Sequence, residues 1–136
     1  MAFIHIPLPE YRFEDDIVDS TGLHPENPTA PGFNSGFKDA LVEEGVLAVS
    51  CGHDHVNDYC SLSRTHEGNP ELWMCYAGGS GFGGYGGYGG YHRRVRVFEF
   101  DMNEARLVTW KRVEFGETGK RIDQTIIVEG GRGVAA

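Results

Sequence analysis

The sequence predicts an α/β fold, with a helix-and-strand layer in front and mostly antiparallel strands toward the C-terminus. Three observations carry this. A capped helical stretch, "NSGFKDALVEEG", leads directly into the continuous apolar run "VLAVSC". Behind it come "ELWMCYAG", "RRVRVFEFD" and "RLVTWKRVEF", all rich in the Val, Phe, Trp and Tyr that favour strands. At 136 residues and 40% hydrophobic, the chain has the length of one ordinary domain and enough apolar material for a core.

In chain order, "AFIHI" reads as a short strand that Pro7 and Pro9 end, because proline cannot donate to a ladder. Residues 10–33 carry Gly22, Pro25, Pro28, Pro31 and Gly32 but little apolar periodicity, and read as a long surface loop. Asn34 or Ser35 can cap the helix that follows; Phe37, Ala40 and Leu41 share a face, and Gly45 can close its end. "VLAVSC" has the pattern of a strand covered on both faces. The polar stretch "GHDHVNDYC" comes next, so His53 and His55 lie just past a strand's carboxyl end, where sites of layered α/β proteins gather. Of the three later runs, the last two join through "MNEA" as a hairpin; "DQTIIVE" adds one more strand, and the tail "GGRGVAA" reads as frayed. Trp73 and Trp110 fall in strand patterns as core residues.

Residues 78–91, "GGSGFGGYGGYGGY", repeat Gly-Gly-Tyr three times. Glycines permit close backbone approach and positive φ, and tyrosines supply stacking surfaces and hydroxyls. A flexible connector, a loop beside a substrate site and an adhesive low-complexity segment are all consistent with this pattern. It lacks the Gly-Lys-Ser/Thr ending of a phosphate-binding P-loop.

The net charge of −8 and a pI near 5.1 exclude a protein built to grip phosphate backbones, so no nucleic acid is expected as partner. No stretch approaches the roughly 20 apolar residues of a membrane span. No targeting signal is seen at the N-terminus, which leaves the cytoplasm as the default location. Of three cysteines, Cys60 and Cys75 could pair or stay as buried thiols; their spacing fits no zinc ribbon.

The chemistry concentrates in the histidines. Neutral imidazole ligates zinc, iron and manganese, and two histidines on one turn can serve one ion or two adjacent ones. His5, near the end of an apolar strand, needs a partner, and it meets His53 and His55 if the two strands are neighbours. His24 and His66 read as solvated, and Asp15, Asp16, Glu43 and Glu44 as exposed charge.

With "FIHIPLPEY", "FNSGFKDALVEEG", "GHDHVNDYC", "LWMCYAGGSGFGGYG" and "RRVRVFEF" in that order, the chain resembles the C-terminal half of calcineurin-like metallophosphoesterases, and most of all the purple-acid-phosphatase-like proteins. The resemblance runs from Phe3 to about Phe100. It implies half of a β-sandwich with a flanking helix, as a single partial domain over 1–136, and a phosphoester-hydrolase ancestry. It implies that His5 and His53 ligate one ion and His55 the other, the metals being Fe, Mn or Zn. Asp54 is then the catalytic-site carboxylate that orients a ligand imidazole. Asn57 and Asp58 cap the loop, and Tyr85, Tyr88, His92 and Arg93 are substrate-side candidates, strand surface being the alternative for the arginine.

The family's Asp-x-His, Gly-Asp-x-x-Asp and Gly-Asn-His elements are not found, so one copy of this chain lacks the bridging carboxylate of a two-ion centre. Three functions follow as expectations. The chain is a truncated, metal-binding part of a phosphatase without activity of its own; or His5, His53 and His55 form a mononuclear site repurposed for hydrolase, lyase or oxygen-dependent chemistry on a small-molecule substrate; or the Gly/Tyr segment serves a non-catalytic binding or structural role. Uncovered apolar faces predict a homo-oligomer, a homodimer above all.

Overall fold

The computed structural model describes residues 1–12, 17–86 and 92–135. Its elements run β1 (Ala2–Phe3), a 3-10 turn (Pro9–Arg12), β2 (Ile17–Thr21), α1 (Phe37–Glu43), β3 (Ala48–Cys51), β4 (Cys60–Arg64) and β5 (Pro70–Tyr76). They continue with β6 (Arg94–Asp101), β7 (Arg106–Val113), β8 (Ile122–Glu129) and β9 (Arg132–Gly133). A five-stranded sheet, in the order β1-β3-β5-β4-β2, faces a four-stranded sheet in the order β6-β7-β8-β9. The pairs β1–β3 and β3–β5 are parallel and the remaining pairs antiparallel, so the molecule is mostly β with one helix among the described residues.

Alternation along the strands sorts side chains into two cores. From β5, Leu72, Met74 and Tyr76 join Val49, Cys51, Leu41, Leu8 and Tyr11 on the helix side. Its alternate residues, Trp73 and Cys75, join Ala48, Cys60, Leu62, Leu107 and Ile127 between the sheets. Each fully buried Leu or Met contributes about 1.5–3 kcal/mol. β3 is buried at all four positions because β1 and β5 flank it and both its faces are covered, as its apolar run predicts.

Several elements differ from the sequence expectation. The stretch 10–33 is not irregular throughout: it supplies most of the 3-10 turn and β2, an edge strand antiparallel to β4. β4 hides in a polar reading because Ser61 and Ser63 alternate with the core residues Cys60 and Leu62. The helix starts at Gly36 (φ 75), whose left-handed backbone forms the N-cap with no side-chain cap; Asn34 Oδ1 instead accepts the Gly36 N–H (2.9 Å). Only Leu41 of the expected helical face is buried. Gly45 (φ 70) does close the helix, with its N–H on the Val42 carbonyl and the Val46 N–H on Leu41. The β6–β7 hairpin turns at residues 102–105 as predicted. The tail is tied down rather than frayed: β9 pairs with β8, and the Trp73 indole N–H donates to the Val134 carbonyl (3.1 Å). Trp73 and Trp110 are core residues. Cys60 and Cys75 occupy paired positions of β4 and β5 and are joined as a disulfide, which leaves Cys51 as the buried free thiol.

Candidate functional site

Parallel pairing carries β1 and β3 side by side toward their carboxyl ends, and the alignment persists past the strands. The Ile4 N–H donates to the Ser50 carbonyl (2.9 Å), and the Gly52 N–H donates to the His5 carbonyl (3.1 Å). His5 and His53 therefore meet, with ring centroids 5.3 Å apart and planes at 81°. Gly52 lies against the His5 ring, where even a Cβ would make only an ordinary contact, 3.5 Å from His5 Nδ1. His53 itself is held at φ 69, a left-handed conformation that costs a non-glycine residue and is found where a side chain must be aimed. His5 is exposed and His53 half-buried.

Asp54 points the other way and is buried. Its Oδ2 accepts the Tyr76 hydroxyl (2.6 Å) and the Thr29 N–H (2.9 Å), which pins the histidine loop to β5 and to the 22–33 segment. Burial pushes its carboxyl up, but these hydrogen bonds, with the charge of His53 adding to them, outweigh that and hold it below the usual carboxylate range. Burial and the same bond push the Tyr76 phenol far up.

His55 has a different ring partner. Its ring stacks on Tyr85 (centroids 4.6 Å, 13° between planes), and its backbone N–H donates to the Tyr85 hydroxyl (3.2 Å). That hydroxyl in turn donates to Glu26. A Cβ on Gly84 would come within 2.4 Å of His55 Nδ1, and the guanidinium of Arg93 lies near the same glycine. Arg93 is buried rather than on the strand surface, and its N–H donates to Glu114 Oε1 (2.8 Å). His92 packs on Phe115 (4.9 Å), and Tyr88 lies outside the described residues, as do Asp15 and Asp16. His24, exposed, rests on Tyr59 (4.6 Å). Among the described residues, no three of His, Cys, Asp and Glu are grouped so as to hold one ion. The imidazoles of His5 and His53 lie side by side, and imidazole nitrogen is a ligand type suited to borderline metal ions.

The end of the loop is an anchor. Asn57 is buried and bonds Glu26 in both directions, Oδ1 accepting its N–H (3.2 Å) and Nδ2 donating to its carbonyl (3.0 Å). Asp58, also buried, accepts the Leu23 N–H and Lys111 Nζ at Oδ1 (2.7 Å each) and Arg94 Nε at Oδ2 (2.7 Å). Its carbonyl takes Arg96 Nη2 (2.6 Å), and Lys111 also reaches Asp123 (2.6 Å). Burial lowers the Arg96 pKa to about 10, which leaves it charged at neutral pH. Sequence reasoning missed Glu26, Tyr76, Arg94, Arg96 and Lys111. The alternation in "RRVRV" carried a signal, because Arg94 and Arg96 face inward while Val95 between them is exposed.

Over most of its length the chain is similar to curated phosphatases. It is 46% identical over 122 residues to phosphatase DCR2 of Saccharomyces cerevisiae, covering 83% of this chain and 20% of that protein. It is 41% and 40% identical over 124 residues to probable inactive purple acid phosphatases 14 and 29 of Arabidopsis thaliana, covering 90% of this chain and 29% and 30% of theirs. The chain thus spans less than a third of the length of these relatives. No model of a known protein family matches the chain. No solved structure matches it either.

Proposed function

We propose that this chain, which belongs with the purple-acid-phosphatase-like phosphatases, carries part of a metal-dependent phosphoester-hydrolase centre and does not turn over phosphoesters by itself. The observation that carries this reading is the convergence of His5 and His53 at the carboxyl ends of adjacent parallel strands. Two nitrogen donors suit Fe, Mn or Zn, and His55, one residue beyond Asp54, is the donor left for a second ion. Such ions, when bound, supply an activated water and neutralise charge on a transferring phosphoryl group. This chain's residues hold and orient: Asp54, through Tyr76 and Thr29, fixes the loop between the two histidines.

The remaining donors, including a bridging carboxylate, come in this reading from another segment or a second copy. The edge strand β1, with Phe3 and Ile6 exposed beside His5, supports that side as the place where it docks. All three relatives are named phosphatases and two of them "probable inactive", which fits a chain without independent turnover. A mononuclear three-histidine site is disfavoured, because His55 is turned to Tyr85 rather than to the His5–His53 pair.

The test is a titration of the purified chain with Zn2+, Mn2+ or Fe2+ beside its His5→Ala and His53→Ala variants, with p-nitrophenyl phosphate as substrate. Weak binding lost in both variants, and no hydrolysis by the chain alone, is expected. Binding that survives both substitutions overturns the assignment. Sedimentation at the same concentrations reports whether a second copy completes the site.

A further inference from the structure

The glycine segment packs too closely on the histidine loop to be a loose connector. A Cβ on Gly84 would stand 2.4 Å from His55 Nδ1 and 2.6 Å from its Cε1, and one on Gly86 (φ 56) would stand 2.2 Å from Val56 Cγ1. A Cβ on Gly79 would meet His55 Cβ and its carbonyl at 3.2 Å. Glycine is what lets this backbone lie flat on the loop. Between Gly84 and Gly86 the strap carries one large side chain, Tyr85, laid parallel on the His55 ring. Although stacked, Tyr85 is about half exposed, at 51%, so it is a cover rather than a core residue. Its hydroxyl bridges the His55 N–H and the Glu26 carboxylate, which belongs to a different loop. Beneath the cover, His55 Nδ1 is buried with no hydrogen-bond partner. An unpaired buried nitrogen gains when water or a ligand reaches it, so the closed arrangement is poised to open.

We propose that Glu26 and Tyr85 form a latch that holds the strap of residues 79–86 closed over His55, and that a group binding His55 Nδ1 does so only when the latch opens. Access to this one nitrogen is thereby controlled separately from the open His5–His53 pair. The latch stands whether or not the chain binds a metal.

Carbethoxylation of the intact chain by diethyl pyrocarbonate, with the Nδ1 and Nε2 products of each histidine scored separately, reads this at the Nδ1 product, with His5 as internal reference. Tyr85→Ala raises the His55 rate relative to His5 by on the order of 10-fold, the population shift expected from losing a ring stack and a bridging hydrogen bond. Glu26→Gln and Tyr85→Phe keep the ring and raise it by a few-fold. An unchanged His55-to-His5 ratio in Tyr85→Ala, with an intact circular dichroism spectrum, overturns the latch. A rise in Tyr85→Ala with wild-type behaviour in both conservative variants removes Glu26 from it. Because Glu26→Gln deletes no packing volume, it remains informative should Tyr85→Ala fold poorly.

Discussion

Within six residues, one loop does two opposite things. His53 and His55 are half-exposed and each contacts another aromatic ring, whereas Asn57 and Asp58 are fully buried and tied to backbone and cations from the front loop and the second sheet. The two halves have similar polarity, yet the first presents chemistry and the second keeps it in place. Asp54 belongs with the second in burial and with the first in position. A cluster of polar residues is therefore not all site; much of it is the mounting.

The contrast is sharpest at Asp58. Asp58→Ala leaves Arg94 buried beside Lys111, which retains Asp123, and should destabilise the chain by about 3–5 kcal/mol, as removing one partner of a buried ion pair does. Guanidinium unfolding measures this, and a loss under 1 kcal/mol would break the distinction between mounting and site.

Tyr76→Phe is the intermediate case. It removes the hydroxyl from Asp54 while the ring keeps its packing on Tyr11 and Tyr59, at a cost of about 1.5–3 kcal/mol for a hydrogen bond to a charged group. Asp54's folded pKa is depressed, so the stability it contributes is present above the unfolded value of about 3.9 and is lost as pH falls through the lower folded value. The gap between wild type and Tyr76→Phe should therefore narrow on acidification. A gap constant with pH would show that the bond does not act through the carboxylate.

His53→Gly should have the smallest effect on stability and the opposite sign. Relieving φ 69 stabilises by about 1 kcal/mol, less the extra freedom glycine has in the unfolded chain, and in the proposed function it also removes one metal donor. A fall in melting temperature would mean that the His53 side chain is itself part of the anchor.

Much of this was legible in the chain. The buried strand before the histidines, the hairpin at 102–105, the helix closed by Gly45 and the relation to phosphatases all follow from local pattern and residue order, whereas the meeting of His5 with His53 was conditional on β1 and β3 being neighbours, which only the pairing of the strands decided. β2, β4 and β9 were not, because strands at or near an edge, or carrying serines on the covered side, lose the apolar alternation that marks them.

What the sequence determined by itself was periodicity and order, since apolar spacing and glycine or proline punctuation act over a few neighbouring residues. Only the tertiary structure decided which polar groups became buried partners: Asp58 finds Lys111 53 positions away, and Tyr85 finds Glu26 59 positions away. A charge's partner is chosen by how the two sheets stack and where the strap is laid, and no local pattern encodes that distance.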